Sequence, residues 1–389
     1  MFKKKGKLKP SELITVIVFM AALGFLSVML FVLPKHAGEL SELEFRTLAS
    51  DPFKGKDAGT LVTELVRGDM SKNVDKFLED HYPGRNFFIA LNSYYLRYTG
   101  RNADQSVVMG KKGRLFDAPL STETDQLDKN IEKINEFAET NGLETVLAIV
   151  PSSAVTDGED LPAVHFTYPD RLLLDRIREK TGAYVPDIAG IFDGEDGLMM
   201  YRTDHHWTMD GAYAVYKDVM AHFGAEACDN AAFSRESYDF YGSFYRKAGL
   251  WLTAPDTLEI WNSPAFDAMT VTIGTGDTAV TYTGVYDRTQ LDGVDKYAAY
   301  LWSNNDLTVV ENPNGNGETV MIVKDSFGNS VAPLFAMTYS RVVMIDTRYY
   351  MNPSLPMPSE LAAEYGIEKL VVAMGLDSAV SNITIAFLR

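Results

Sequence analysis

Two short polar segments carry side chains that could perform acyl transfer together. The first is Tyr-Arg-Thr-Asp-His-His-Trp-Thr at 201–208, where Asp204 and His206 stand two residues apart before a predicted helix. The second is Lys-Asp-Ser-Phe-Gly-Asn at 324–329, where Ser326 follows an apolar strand. Serine attacks a carbonyl only when a base removes its proton, and a carboxylate orients that base. The residue types therefore predict a Ser-His-Asp triad, provided that the fold joins the two segments.

The setting of each segment indicates how the triad would work. His206 is the better base of the two adjacent histidines, because a carboxylate two residues earlier in a turn can reach its Nδ1. A serine between a strand and a helix is expected at the carboxyl edge of a parallel sheet, where ligands bind. The backbone N–H groups of Ser326 and Phe327 would then face a developing oxyanion. The Gly-x-Ser-x-Gly elbow of lipases is absent, since Lys324 occupies the position of its first glycine.

Both segments also have structural alternatives. An Asp-Ser pair after a strand is commonly a helix cap, and an Asp-x-His pair is commonly a structural hydrogen bond. A metal site is a third alternative, since Asp204, His205 and His206 are all of metal-ligand type. Three adjacent residues are not expected to converge on one ion, and no further spaced ligand set is visible. The sequence therefore predicts neither a metal nor a cofactor.

Charge and cysteine content exclude several classes of protein. The 389 residues carry a net charge of -17, although residues 1–12 hold five lysines. An acidic body repels phosphate backbones, so nucleic acid is not an expected partner. The single cysteine, Cys228, excludes an internal disulfide and any multi-cysteine metal site. An exported chain with one cysteine suits a bacterial surface that does not rely on disulfides.

An apolar segment near the N-terminus predicts a membrane anchor. Leu13 to Leu33 contains 21 residues and no charge, which as a helix spans about 31 Å, enough to cross a bilayer. Lysines precede it, so the N-terminus is expected in the cytoplasm and the body outside the cell. The alternative is a cleaved signal peptide, but those have apolar cores of roughly 7–15 residues. We therefore expect an uncleaved, single-pass cell-membrane protein.

Helical and strand-like segments alternate along the body, which predicts an α/β fold around a parallel sheet. Helices are predicted at 73–99, 122–140, 171–180, directly after Thr208, and at 329–337. Strands are predicted at 145–150, 183–185, 320–323, 342–345 and 370–374, with a hairpin at 107–116. Residues 240–315 are rich in aromatic residues, Thr and Gly, and predict β-hairpins inserted into the α/β domain.

The segment at 201–208 resembles the naming motif of the DHHW proteins. These are similar to the SGNH-like O-acetyltransferases that modify alginate and other exopolysaccharides. Further blocks with the same resemblance stand at 77–116, 241–243, 324–329 and 346–349. The resemblance extends over roughly residues 40–375.

The resemblance implies a flavodoxin-like SGNH fold, with a parallel sheet covered by helices on both faces and with inserted β-hairpins. The serine block follows the Asp-x-His block, the reverse of ordinary SGNH esterases. It implies Ser326 as nucleophile, His206 as base and Asp204 as the partner of that base. Weaker substrate contacts are implied at Arg348, Tyr241, Gly242, Asn329 and Trp207.

The predicted function is O-acetyl transfer to, or acetyl hydrolysis from, a cell-surface or secreted polysaccharide through an acyl-serine. A membrane-bound O-acyltransferase partner would supply the acetyl group, since acetyl-CoA is not available outside the cell. The predicted segments are a basic tail (1–12), an anchor (13–33), a stalk (34–72) and an SGNH-like extracytoplasmic domain (73–389) with an insertion at about 240–315. The alternative is a non-catalytic glycan-binding or envelope-assembly protein on the same fold.

Overall fold

The computed structural model describes residues 9–39, 41, 47–101, 103–104, 107–352 and 354–389. The chain divides into two compact units, one of residues 1–95 with 248–250 and the other of residues 96–247 with 251–389. Residues 1–8 of the predicted basic tail, and residues 40 and 42–46 of the predicted stalk, lie outside the described residues.

The first unit is helical. Its helices are α1 (Pro10–Val32), α2 (Ala58–Arg67), α3 (Asp69–Asp80) and α4 (Arg85–Tyr98). Helix α1 buries none of its side chains and is long and apolar enough to cross a membrane. Membrane anchors and signal sequences both have helices of this length and composition near the N-terminus.

The predicted single helix over residues 73–99 is two helices, so this prediction is wrong in its extent. Residues 81–84 separate α3 from α4. Pro83 disfavours helical backbone at the residue before it, and Gly84 has a positive φ of 71°. The predicted stalk also contains α2, which begins after Asp57, whose side chain accepts the Thr60 N–H.

The second unit is mixed α/β. Its strands are β1 (Ala103–Asp104), β2 (Val107–Met109), β3 (Leu115–Asp117), β4 (Glu144–Val150), β5 (Ser234–Phe240), β6 (Asp256–Asn262), β7 (Thr270–Ile273), β8 (Val280–Thr283), β9 (Leu307–Glu311), β10 (Thr319–Lys324), β11 (Arg341–Asp346) and β12 (Lys369–Gly375). Its helices are α5 (Asp125–Asn141), α6 (Ser153–Thr156), α7 (Asp170–Lys180), α8 (Ile188–Asp193), α9 (Met209–His222), α10 (Ser243–Ala248), α11 (Phe327–Thr338), α12 (Pro358–Glu364) and α13 (Leu376–Ser381).

A seven-stranded sheet in the order β4-β12-β10-β11-β9-β7-β8 forms the centre of this unit. The first four of these strands are parallel, and β9, β7 and β8 continue the sheet in antiparallel fashion. The inserted hairpins therefore extend the sheet at one edge, while β5 and β6 form a separate pair. The predicted α/β fold with a parallel-containing central sheet is confirmed.

Helices cover both faces of the sheet, as predicted. On β10, Val320 and Ile322 pack into the core that contains α9 and α11. Met321 and Val323 pack into the opposite core, which contains α5 and α7. Successive strand residues point to opposite faces, so a run of apolar residues is what a strand buried on both faces requires.

Two predicted elements differ in the structure. The predicted strand at 183–185 is reduced to one parallel bridge between Tyr184 and Val146. Helix α11 begins at Phe327 rather than at Asn329, which places Pro333 inside the helix rather than in its first turn.

The two polar segments lie at the ends of elements of this unit. Lys324, the last residue of β10, pairs with Asp346 of β11 and with Ala373 of β12. Ser326 follows at the carboxyl edge of the sheet, directly before α11. The Asp-His-His segment precedes α9, which begins after Thr208, whose hydroxyl accepts the Gly211 N–H at 3.2 Å.

Packing of β10 is expected to determine the stability of this unit. Ile322→Ala removes a side chain with no solvent exposure, and we expect it to lower the free energy of unfolding by about 2–5 kcal/mol. Ile383→Ala is the matched control, because Ile383 is 69% exposed, and its effect is expected to stay within about 0.5 kcal/mol. Denaturant unfolding of both variants measures the difference, and equal effects would contradict the assignment of β10 to the core.

Candidate active site

Asp204, His206 and Ser326 form one continuous hydrogen-bonded chain. Nδ1 of His206 lies 2.5 Å from Oδ1 of Asp204, and its Nε2 lies 2.7 Å from Oγ of Ser326. Asp204 is 3% exposed and His206 is 5% exposed. These distances are within reach for proton transfer, and the order of atoms is that of a nucleophile, a base and an orienting carboxylate.

The hydroxyl of Ser326 is not used to cap the helix that follows it. Ser326 is the residue before α11, but its backbone is helical and its side chain makes no capping hydrogen bond. The helix-cap alternative for this serine is therefore wrong. Its Oγ is directed to His206 instead, at a helix N-terminus that favours negative charge.

Asp325 holds the turn that presents Ser326. Its Oδ1 accepts the N–H of Phe327 at 2.9 Å. Its Oδ2 accepts the N–H of Gly375 at 2.9 Å and the hydroxyl of Ser378 at 2.7 Å. Asp325 is buried, and its bonds join the carboxyl end of β10 to that of β12.

The bonds of Asp325 correct one of the two predicted oxyanion donors. The N–H of Phe327 is occupied by the Asp325 carboxylate, so it does not face a reacting carbonyl. The N–H of Ser326 has no acceptor among the described residues. Of the two predicted donors, it is therefore the one that can still bond to a ligand, at the N-terminus of α11.

Asp204 is held by its neighbours as well as by His206. It accepts the backbone N–H of His206 at 3.0 Å and that of Ser243 at 2.6 Å. Gly242 packs directly against it, since a Cβ on Gly242 would lie 2.3 Å from the Asp204 Cβ. Thr203 is fixed in turn by hydrogen bonds from its N–H and hydroxyl to Asp256, at 2.7 and 2.6 Å.

Burial and charge set the protonation states of the site. Burial, together with the positive charge of His205, lowers the pKa of His206 to about 4, so this imidazole is neutral at physiological pH. Burial alone would raise the pKa of Asp204, but the charges of both histidines and its hydrogen bonds hold it well below the usual range. Burial also opposes the charged form of His205, but nearby carboxylates, Asp204 foremost, raise the pKa of its imidazole. The site thus pairs a neutral base with a permanently ionised carboxylate.

The geometry brings the candidate metal ligands close together. One ligand atom from each of Asp204, His205 and His206 lies within 4.8 Å of the others, so the expectation that adjacent residues do not converge is wrong. Both ring nitrogens of His206 are, however, engaged by protein groups. Nδ1 of His205 lies 3.1 Å from the Ser243 hydroxyl. A metal at this point would have to displace the bonds to Ser326 or to Ser243.

Tyr297 supports His206 and was not predicted. Its ring stacks on the His206 imidazole at a centroid distance of 3.8 Å and an angle of 11°. Its hydroxyl lies 3.0 Å from Oγ of Ser330, which also accepts the indole N–H of Trp207 at 2.7 Å. Tyr297 comes from a short 3-10 helix in the predicted insertion, and neither motif nor spacing in the sequence indicates this contact.

The predicted substrate contacts fall into two groups. Trp207 and Gly242 are packing positions, because Trp207 is fully buried and Gly242 lies against Asp204. Both residues therefore pack within the site, and substrate contact by either one stays a prediction. Tyr241 is partly exposed, with its ring 4.5 Å from that of Tyr245.

Arg348 and Asn329 belong to a polar cluster beside the serine turn. Arg348 makes two hydrogen bonds to Asp346, at 2.8 and 2.6 Å, and is partly exposed. The amide nitrogen of Asn329 donates to Asn304 at 3.1 Å. The amide oxygen of Asn329 is buried and has no partner among the described residues. Substrate contact by these two residues stays a prediction.

Comparisons with known proteins identify two similar families. Residues 181–345 match the family model of the DHHW proteins. Residues 107–240 match that of the SGNH hydrolase-like domain of acetyltransferase AlgX. No curated protein sequence matches the chain.

Solved structures show the same fold. A DHHW family protein from Eubacterium siraeum is 19% identical, with 72% of this chain and 97% of that protein covered and a TM-score of 0.59. PatB1 of Bacillus cereus is also 19% identical, with 72% and 98% covered and a TM-score of 0.60. PatB1 with a sulfonyl adduct is 18% identical, with 73% and 98% covered and a TM-score of 0.60. The predicted resemblance is confirmed: residues 181–345 match the DHHW family model, and the chain has an SGNH hydrolase-like fold.

Proposed function

We propose that this protein is a membrane-anchored O-acetyltransferase or acetylesterase that acts outside the cell on a surface or secreted polysaccharide. The observation that carries the proposal is the unbroken chain of hydrogen bonds from Asp204 through His206 to Ser326. It lies at the carboxyl edge of the sheet, where α/β proteins bind ligands. No cofactor takes part in the proposed reaction.

The proposed reaction has two halves. In the first, Nε2 of His206 takes the hydroxyl proton as Oγ of Ser326 attacks the acetyl carbonyl of the donor. The tetrahedral intermediate then releases the donor's leaving group, which receives that proton, and acetyl-Ser326 remains. In the second half, His206 takes the proton of an acceptor hydroxyl or of water, which attacks the acetyl-serine. Ser326 leaves and is reprotonated by His206.

Asp204 contributes by staying ionised throughout this cycle. Its carboxylate orients Nδ1 of His206 and stabilises the imidazolium that forms while the proton is held. The N-terminus of α11 and the free N–H of Ser326 favour the negative charge that develops on the carbonyl oxygen. The resting enzyme therefore holds a neutral base against the nucleophile.

Helix α1 supports the proposed place of the reaction. As an uncleaved anchor, Leu13 to Leu33 would leave the basic tail in the cytoplasm and the catalytic unit outside. The predicted segments 1–12, 13–33, 34–72 and 73–389 belong to this proposal. A membrane-bound O-acyltransferase partner would pass acetyl groups across the membrane to Ser326.

Loss of the serine is expected to abolish covalent chemistry. Ser326→Ala in the full-length chain in detergent should lose labelling by a fluorophosphonate probe and should slow release of p-nitrophenol from its acetate by at least ~10³-fold. A sulfonyl fluoride is a second probe of the same serine, since PatB1 has been solved with a sulfonyl adduct.

The matched control is Ser381→Ala, which changes an exposed serine on α13 and should label as the wild type does. Equal labelling and equal p-nitrophenol release by the wild type and Ser326→Ala would contradict the proposed enzymatic function. That result would favour a non-catalytic glycan-binding protein. Loss of activity on chelation, with Ser326→Ala still active, would favour a metallohydrolase instead.

The acid limb of the pH–rate profile is expected to report His206. The base must be neutral, and its pKa of about 4 means that kcat/KM should fall as the pH drops through about 4. His205→Gln removes a neighbouring positive charge that lowers the His206 pKa, so the acid limb should move to higher pH. A limb near the ordinary histidine value of about 6.5 in both proteins would contradict this assignment.

Tyr297 is expected to act as a positioning residue. Tyr297→Leu removes the ring that stacks on His206, and should lower kcat by about 2- to 10-fold with KM little changed. Tyr297→Phe keeps the ring and loses only the hydroxyl, so it should retain most of the activity that Tyr297→Leu loses. Equal loss in both variants would assign the effect to the hydroxyl network with Ser330.

A further inference from the structure

A narrow pocket lies beside Ser326 along the carboxyl edge of the sheet. Its lining includes Val150 at the end of β4 and Gly375 at the end of β12. Strand β12 lies between β4 and β10, so the pocket is next to the strand that carries Ser326. His205 and Phe327 also line it, which connects the pocket to the surroundings of the triad.

The pocket is small. Its volume is about 30 Å³, which is enough for a small polar group. A space of this size accepts a single small polar substituent, such as a primary amine or a hydroxyl. A sugar ring carrying that substituent would have to lie outside the pocket, toward solvent.

Three aspartates line this small space, and one of them is incompletely paired. Asp170 is fully buried, and its Oδ1 accepts the N–H and the hydroxyl of Ser152, at 2.8 and 2.6 Å. Its Oδ2 is buried and has no partner among the described residues. A buried carboxylate oxygen without a donor is costly, so a ligand that donates hydrogen bonds would stabilise this arrangement.

The other two aspartates, Asp117 and Asp377, leave the pocket short of positive charge, since its lining holds three carboxylates and one histidine, His205. Neither carboxylate accepts a hydrogen bond in the described part of the chain. Burial raises the pKa of Asp117 to about 6, and Asp377 adds to this, while His205 and Lys247 oppose it. An ammonium group placed here would supply the missing charge and three donors.

We propose that this pocket is an acceptor subsite that takes the primary ammonium group of an amino sugar. The proposal rests on the proposed glycan acceptor and names its class. A carboxylate or phosphate at the same point would meet three like-charged groups, which excludes uronate and phosphate polymers as preferred acceptors. An N-acetylated amine carries no charge, so it makes no ion pair with these carboxylates.

Binding to the full-length Ser326→Ala protein in detergent tests the subsite without catalysis. Calorimetric titration compares three trisaccharides: one of glucosamine, its fully N-acetylated form, and one of mannuronate. We expect the glucosamine trisaccharide to bind at least about 10-fold more tightly than the other two. Equal or tighter binding of the mannuronate trisaccharide would overturn the proposal.

Variants locate the binding. Asp377→Asn and Asp117→Asn should each weaken binding of the glucosamine trisaccharide by about 3- to 10-fold. Asp277→Asn, at an exposed position of the inserted β-region, is the control and should bind as the parent does. Unchanged binding in all three variants would show that the amine binds elsewhere and would contradict the proposed subsite.

The two proposals fail differently. If wild-type Ser326 does not react with the fluorophosphonate probe, the enzymatic function fails, whatever the trisaccharides do. If Ser326 reacts but the glucosamine trisaccharide has no advantage, the function stands and the subsite is wrong. Thermal unfolding of each variant separates a lost contact from a lost fold.

Discussion

The structure of the site depends on the buried carboxylate of Asp325. It accepts one N–H from the turn that starts α11, and one N–H and one hydroxyl from the start of α13. These three bonds fix the carboxyl ends of β10 and β12 relative to each other. They also set the direction of the Ser326 side chain, because its two neighbours in the turn, Asp325 and Phe327, are held by these bonds.

Burial has opposite consequences for the groups in this site. For His206 it favours the neutral base, whereas for Asp204 it is outweighed by hydrogen bonds and by the two histidines. A site with the same residues on an exposed loop would lose both effects to solvent. The packing of Tyr297 and Gly242 around these groups is therefore part of their electrostatics, since each keeps water out.

The sequence predicted what depends on local pattern. Apolar runs located the buried strands, and residue types singled out the two segments that the fold joins. The partners of Asp325, the stacking of Tyr297 and the bond from Thr203 to Asp256 could not be predicted, because each connects segments that no periodicity links. Oxyanion donation by Phe327 was wrong for a local reason, since the carboxylate of Asp325, two residues earlier, accepts its N–H. The extension of the sheet by antiparallel strands depends equally on long-range pairing.

Strand β12 is the last of the sheet in sequence but lies between β4 and β10 in space. The parallel half of the sheet therefore cannot close until this strand has been synthesised. Gly375, which anchors the serine turn through Asp325, arrives with it. A chain that has emerged only as far as α11 already contains all three residues of the hydrogen-bonded chain, yet lacks the strand that holds its nucleophile in place. The last strand of the sheet in sequence therefore completes the support of the turn that carries the hydroxyl.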